Sequence, residues 1–117
     1  MLELRCMKYS TVKEVLSGDV SKGDFVALNE VNGFYFADGV SGDAATVVTR
    51  ADKVEGPMAA VTIAPGEAAY IITASGLLTN VDGGGANPLV GHFLEDRANT
   101  ESTALIDFDG TLAFAKA

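Results

Sequence analysis

The sequence has no tryptophan, and its 117 residues include only one cysteine, one histidine and three prolines. Cys6 alone cannot form an internal disulfide, which suits a reducing compartment. A zinc site takes three or four ligands, and His92 with the nearby Glu95 and Asp96 supplies too few of them. There is also no Gly-x-Ser-x-Gly elbow and no Cys/His pair close in sequence. We therefore expect a protein that is not an enzyme and that binds no metal and no cofactor.

Positive charge and long apolar runs are also scarce. Eight Lys and Arg residues face 16 Asp and Glu residues, giving a net charge of −8. Such a surface repels phosphate backbones and anionic membranes, so we expect neither nucleic acid nor membrane as a partner. No apolar stretch is long enough to cross a bilayer, and the N-terminus lacks the apolar run of a signal peptide. These absences favour a soluble product of the cytoplasm.

Short strand-like segments separated by glycine-rich turns make up most of the chain. We predict an all-β fold, a single-domain barrel or sandwich of about nine or ten short strands. Its domain covers residues 11–117, preceded by an extended N-terminal arm over residues 1–10. Residues 11–16 fit a strand or a helix, and the polar residues 50–57 are predicted to form a loop. The predicted strands are 25–28, 33–36, 44–49, 58–63, 69–73, 77–79, 89–94, 103–108 and 111–115.

The predicted core takes the large apolar residues of these strands, although the inward-facing member of each adjacent pair depends on an unknown register. Its members are Phe25, Val26, Leu28, Phe34, Phe36, Val48, Val61, Ile63, Tyr70, Ile72, Leu78, Phe93, Leu105, Ile106 and Phe108.

One part of the sequence repeats another in weaker form. Residues 22–39 reappear over residues 65–83, with Gly66 in the place of Gly23 and Gly76 in the place of Gly33. We interpret each copy as a β-hairpin that begins with a glycine and an acid and ends with Asp-Gly. In the first copy, Asn-Gly at positions 32 and 33 predicts the hairpin turn. The repetition predicts architecture and carries no chemistry.

Two segments resemble phosphate chemistry without completing it. Residues 18–25 have the glycine spacing of a P-loop, but Asp24 stands where the loop needs lysine. Residues 104–112 resemble the first motif of haloacid-dehalogenase-like phosphatases, in which Asp107 would be the nucleophile and Asp109 the acid. The lysine and magnesium ligands of that family have no place in the few residues that follow. We interpret the two segments as a turn between strands and a final hairpin with an Asp109-Gly110 turn.

The glycine-anchored series as a whole resembles the bacteriophage capsid-cement family. The resemblance covers about residues 12–115 and is carried by four segments: Gly-Asp at the start of a strand, Gly-Phe-Tyr-Phe-Ala-Asp-Gly, Ser-Gly-Asp before a β-branched strand, and Pro-Gly-Glu before Tyr70. Residues 76–96 and 102–111 are similar to the central part of lambdoid head-decoration proteins. The charged segment 50–56 and residues 1–10 depart from these patterns.

The resemblance implies a structural role in a virion. Such proteins bind the outside of an expanded phage capsid, commonly as homotrimers, and hold the major capsid protein subunits together. We therefore expect this chain to be made in the host cytoplasm and to reside on the capsid surface. We also predict that residues 2–9 order only on binding a partner, by adding a strand to a sheet edge. The residues expected to contact the capsid are Leu2, Leu4, Met7, Tyr9, Asp82, Gly83, Asn87 and Pro88.

A second class of function stays open at this point. The chain could be a small β-domain of a phage tail or an adhesin that recognises carbohydrate or another protein. Carbohydrate sites usually display aromatic platforms, and this chain has no Trp and three Tyr. Tyr35 on the repeated hairpin is the plausible exposed aromatic residue of such a site, although a structural role is the favoured interpretation for it.

Overall fold

A computed structural model describes residues 1–112, and nearly all of its regular structure is β. Nine antiparallel strands form one curled sheet with the shape of a half-barrel, which confirms the predicted all-β class. The strands are β1 (Glu3–Leu4), β2 (Tyr9–Val15), β3 (Phe25–Leu28), β4 (Val31–Tyr35), β5 (Ala44–Pro57), β6 (Ala68–Ile72), β7 (Leu77–Thr79), β8 (Leu89–Phe93) and β9 (Thr103–Asp109). A short 3₁₀ helix covers Gly83–Gly85.

The sheet has the order β3-β4-β5-β9-β8-β6-β7, and β1 and β2 also pair with β5. Most of its buried apolar residues form one main core. The rings of Phe34 and Phe108 meet there edge to face, with centroids 5.2 Å apart. A smaller cluster on Leu16, Tyr35 and Val47 lies apart from it. The main core comprises Leu2, Phe34, Val48, Ala51, Val54, Met58, Ile63, Ala69, Ile71, Leu78, Val90, Phe93, Ala104, Ile106 and Phe108.

Residues 50–57, predicted as a loop, are the second half of the long strand β5. The segment is polar in composition, but some of its side chains face inward. Ala51 and Val54 are buried in the core, while Asp52 and Lys53 are exposed. A β-bulge between Ala51 and Val54 changes the register against β9 at this point. The bulge breaks the strict alternation by which a strand is recognised in a sequence.

Residues 58–63, predicted as a strand, form no regular strand. Met58 makes an isolated bridge to Leu78, and Ile63 makes another to Arg97. Both side chains are buried. The apolar residues of this segment therefore anchor an irregular crossing from β5 to β6.

The first hairpin turns three residues earlier than predicted. Leu28 pairs with Val31, so the turn is Asn29–Glu30, and both Asn32 and Gly33 lie inside β4. A Cβ atom on Gly33 would collide with the side chain of Val47 on β5. This glycine is therefore explained by close strand packing and not by a turn.

Four turns of the same construction precede β3, β5, β6 and β9, over residues 21–24, 40–43, 64–67 and 98–101. In each, the fourth residue is acidic; its N–H donates to the carbonyl of the first residue, and its carboxylate accepts from the N–H of the first residue. The third residue is glycine in the first three turns, with φ between 85° and 94°, a conformation that favours glycine. The carboxylate-to-N–H distances are 3.0 Å for Asp24, 3.0 Å for Asp43, 2.6 Å for Glu67 and 3.0 Å for Glu101.

These turns reveal a repeat that the sequence shows only in part. The unit β3-β4-β5 corresponds to β6-β8-β9, and the sheet order is symmetric about the junction of β5 with β9. Gly66 does match Gly23, but the structural counterpart of Gly33 is Gly91 and not Gly76. The hairpin strand β7 and the glycine loop are inserted between β6 and β8, which separates the true counterparts in the sequence. Matching hydrogen bonds run from Gly23 to Tyr35 and from Gly66 to Phe93, both 2.8 Å, and from Phe36 to Thr46 at 2.9 Å and from Leu94 to Leu105 at 3.0 Å.

The N-terminal arm is extended, as predicted, but it already belongs to the sheet. Glu3 pairs with Glu55 and Leu4 with Val54, while β2 runs across the predicted boundary between residues 10 and 11. Leu2 is 2% exposed in the main core. The expectation that residues 2–9 order only on binding is therefore wrong, because burial of Leu2 and pairing with β5 stabilise the segment within the free chain. Most of the strand predicted over residues 111–115 lies outside the described residues, and Thr111 itself lies in a turn.

Candidate functional site

Several exposed apolar side chains lie on or beside the N-terminal ribbon, defined here as residues 3–15. Met7, in the bend between β1 and β2, is 95% exposed. Tyr9 stacks on Phe36, with ring centroids 5.9 Å apart and planes inclined by 22°. Both rings remain more than a third exposed, so they present an aromatic face to solvent.

The predicted contact residues of the N-terminus fall into two groups, one buried and one exposed. Leu2 is buried, and the partly buried Leu4 packs against the main core, so these two side chains hold the ribbon down. Met7 and Tyr9 point to solvent and are available to a partner. Sequence alternation identified the segment but not the outward residues, because the bend at 6–7 changes the phase between β1 and β2.

The predicted contact loop of the second half is compact. The carboxylate of Asp82 accepts from the N–H of Gly84 at 3.0 Å, and the side-chain amide of Asn87 donates to the carbonyl of Val81 at 3.0 Å. The carbonyl of Pro88 accepts from the N–H of Ile71 at 3.1 Å, which ties the loop to β6. Asp82 and Gly83 are exposed, whereas Asn87 and Pro88 are partly buried. Within residues 1–112, no hydrogen bond, ion pair or ring contact joins this loop to Met7 or Tyr9.

An open cavity of about 370 Å³ lies between the ribbon and β4, lined by residues that include Leu4, Arg5, Lys22 and Phe36. Arg5 is committed to Glu55, to which its guanidinium donates at 2.6 Å. This hydrogen bond is the main reason why the pKa of the Glu55 carboxyl lies below its usual value. Glu3 adds a second ion pair to Arg5 at 3.2 Å. The cavity wall is therefore mainly apolar, with the neutralised guanidinium of Arg5 and the ammonium of Lys22 as its cations.

The aspartates that resembled a phosphatase motif are engaged in structural hydrogen bonds. The carboxylate of Asp107 accepts from the backbone N–H of His92 at 2.6 Å. The Asp109 carboxylate accepts from the hydroxyl of Thr111 at 2.6 Å and forms an ion pair with Arg50 at 3.4 Å. Asp109 therefore closes a turn at the end of β9. In the part of the chain that the structure describes, no three His, Cys, Asp or Glu side chains converge as a metal site would require.

The segment with P-loop spacing is one of the four acid-closed turns, and Asp24 bonds to the N–H of Ser21 there. The corresponding turn of the second half, residues 64–67, contains a carboxyl group whose pKa is lowered. The carboxylate of Glu67 accepts from the N–H of Ala64 and from the amide of Asn80, and both bonds lower the pKa of Glu67. These acids are explained as turn-closing groups.

Tyr35 is not an exposed aromatic residue. It is 7% exposed, and its hydroxyl donates to Glu14 on β2 at 2.7 Å. Burial, together with this hydrogen bond, raises the pKa of Tyr35 to about 12. The exposed aromatic pair of this fold is Tyr9 with Phe36, which sequence reasoning missed because Phe36 was assigned to the core. Only the register of β4 could have placed Phe36 outside.

Comparison of the chain with protein-family models, with curated proteins and with solved structures gives no match. Among residues 1–112 there is no helix long and apolar enough to span a membrane.

Proposed function

We propose that this protein is a structural component of a bacteriophage virion, which binds the outside of the expanded capsid and stabilises it. The sequence resemblance to capsid-cement and head-decoration proteins motivates the proposal. The partner is the major capsid protein, and we propose a homotrimer for the attached state. The protein is made in the host cytoplasm and resides on the capsid surface.

The observation that carries the proposal is the exposed apolar face formed by Met7, Tyr9 and Phe36 on a sheet held rigid by acid-closed turns. An exposed aromatic pair next to a fully exposed methionine is typical of an interaction surface. A rigid surface loses little conformational entropy on binding. Several such contacts made at once by an oligomer would convert modest affinity into stable attachment.

Charge supports the same role. A net charge of −8 keeps a protein that is needed in many copies from associating nonspecifically. The exposed apolar face lies beside Lys8, so the ribbon is less acidic than the chain as a whole. Attachment would then rest on local apolar contact and not on attraction between net charges.

Co-sedimentation with expanded capsids, followed by imaging, tests the proposal. The capsids are those assembled from the major capsid protein encoded in the same phage genome. We expect saturable binding with density at three-fold positions, and we expect Tyr9→Ser to weaken binding about tenfold or more. Leu94→Ser is the matched control, because Leu94 has similar exposure but lies on another part of the sheet. Absence of binding by the wild-type chain would exclude the proposal.

One observation supports the alternative function, a small tail or adhesin domain that recognises carbohydrate or another protein. The stacked rings of Tyr9 and Phe36 could form the platform that a sugar face requires. A glycan array separates the two functions. Binding of a defined sugar that is lost in Phe36→Ser, with no binding to capsids, would favour the alternative.

A further inference from the structure

The outer edge of β2 is open. Within residues 1–112, β2 pairs with β5 alone, and no further backbone hydrogen bond reaches Thr11, Lys13 or Val15. Six of its seven residues are exposed, including Val15 at 73%. An open strand of this length presents a row of unpaired N–H and C=O groups to any strand that can align with it.

Little on this edge prevents pairing with another strand. Proteins usually protect such edges with proline or lysine, with bulges, with inward-pointing charges or by covering them. β2 contains no proline. Its two charged residues, Lys13 and Glu14, already make hydrogen bonds to Thr46 and Tyr35, and its register shift between Ser10 and Thr11 arises from the extra residue Thr49 on β5. The other edge strands are shorter: β3 has four residues and β7 has three. β2 is therefore the edge most able to accept a strand.

We propose that β2 pairs antiparallel with β2 of a second copy, around a two-fold axis at Thr11. Residues 8–14 complement themselves in this register. Thr11 lies opposite Thr11 of the second copy, Tyr9 opposite Lys13, and Lys8, which directly precedes the strand, opposite Glu14. Threonine pairs and opposite charges are among the cross-strand combinations that stabilise antiparallel sheets.

The choice of register follows from which faces meet. A two-fold axis perpendicular to the sheet leaves each face of the sheet on the same side. Residues that lie opposite each other must share a face, so the central residue of the register is paired with its own copy. An axis at Val12 leaves Lys13 opposite Thr11 and forms no ion pair. An axis at Lys13 places the two lysines opposite each other, which is destabilising. Thr11 gives two Lys8–Glu14 pairs, and it also places Tyr9 opposite Lys13, where the ammonium can contact the ring.

The contact is small. A pair of seven-residue edges lies at the low end of interface sizes, so the association is weak and depends on protein concentration. This inference does not rest on the capsid proposal, because it concerns two copies of the chain in solution and requires no capsid. The two-fold pair covers Tyr9, so pairing and capsid attachment through the same face are alternatives.

Cysteine trapping tests the register directly. In a Cys6→Ser background, Thr11→Cys places two thiols opposite each other at a separation that a disulfide can bridge. We expect the Thr11→Cys dimer to form at least about tenfold faster than a dimer of Val81→Cys, whose residue is also exposed but lies far along the chain. Equal rates for the two variants would overturn the proposal.

Hydrogen exchange on the wild-type chain provides a test without any substitution. Pairing across the axis would protect the amides of Thr11 and Lys13 as concentration rises from micromolar to millimolar. The amides of β3, the edge strand at one end of the sheet, serve as the control and should not respond. Protection of the β2 amides that does not change with concentration would overturn the proposal, as would protection of both edges alike. A Lys8→Glu variant should reduce the concentration-dependent protection, and an unchanged response would contradict the proposed ion pair.

Discussion

At the scale of single residues, the acidic side chains act as structural ligands of the backbone. Asp24, Asp43, Glu67 and Glu101 each accept a hydrogen bond from the first N–H of their own turn. A charged acceptor makes a stronger hydrogen bond than a neutral one. These four residues therefore help to start four of the strands, and the excess of acids in the composition has a local structural cause.

Glu67 should make the stability of the protein depend on pH. Its folded-state pKa lies below the ordinary value of 4.5, chiefly because the N–H of Ala64 donates to the carboxylate. The contribution of the charge is then present above the unfolded pKa and is lost as pH falls through the folded pKa. We expect Glu67→Gln to be less stable than the wild type at neutral pH, with the difference disappearing in acid. Urea unfolding at a series of pH values measures this.

Glu30 offers a matched control for that experiment, because its carboxylate makes no hydrogen bond within residues 1–112. Glu30→Gln should leave the stability nearly unchanged across the pH range. A Glu67→Gln variant that keeps a constant stability deficit from neutral to acidic pH would contradict the assigned role of the charge.

Gly91 is required by packing. A Cβ atom at this position would collide with the backbone carbonyl of Asp107 on β9, which cannot move without disrupting the sheet. We expect Gly91→Ala to lower the free energy of unfolding by about 3 kcal/mol or more. Gly18→Ala should be almost neutral, since nothing lies within 4 Å of its Cβ position. Chemical denaturation of the two variants decides this, and equal stabilities would show that the close contact is not present.

At the scale of elements, the long strand β5 organises the sheet, because it pairs with β1, β2, β4 and β9. Sequence reasoning placed its first half correctly and assigned its second half to a loop. The bulge after Ala51 and the polar outward residues removed the alternation that identifies a strand. In β4, the Asn-Gly pair suggested a turn. Gly33 is instead a strand residue that must be small, because a Cβ atom there would collide with Val47.

Leu2, directly before the N-terminal ribbon, should contribute strongly to folding by anchoring the ribbon in the core. This residue is 2% exposed, and its backbone N–H donates to the carbonyl of Gly23 at 3.0 Å. We expect Leu2→Ala to lower the free energy of unfolding by about 2–5 kcal/mol, the range for buried leucines. Leu94→Ala, at a residue 39% exposed, is the control and should cost much less. Thermal unfolding measures both, and a small effect at Leu2 would mean that the ribbon is not docked in the core.

At the scale of the whole molecule, the two halves share one sheet and one core. The unit β3-β4-β5 meets its counterpart β6-β8-β9 at the β5–β9 pair, where Arg50 lies opposite Asp109. Neither half can separate without exposing Val54 and Ile106, which are both fully buried. The halves are therefore expected to unfold together despite their repeated construction.

Native-state hydrogen exchange should reflect this arrangement. We expect the slowest amides in β5 and β9, which exchange only on global unfolding, and the fastest strand amides at the open edges, in β2, β3 and β7. Both halves should show the same limiting free energy of exchange. Two distinct plateaus, one for each half, would contradict a single cooperative unit.

The sequence by itself determined the all-β class and the turns that begin with a glycine and an acid, because these depend on local backbone preferences and on composition. The repeat was visible only where its two copies are uninterrupted, from Gly23 and Gly66 onward. Tertiary structure decided which residues face outward, how β5 continues past its bulge, and that Gly91 is the counterpart of Gly33. It also placed Leu2 inside and the Tyr9–Phe36 pair outside, since register and burial are set by strands distant in sequence.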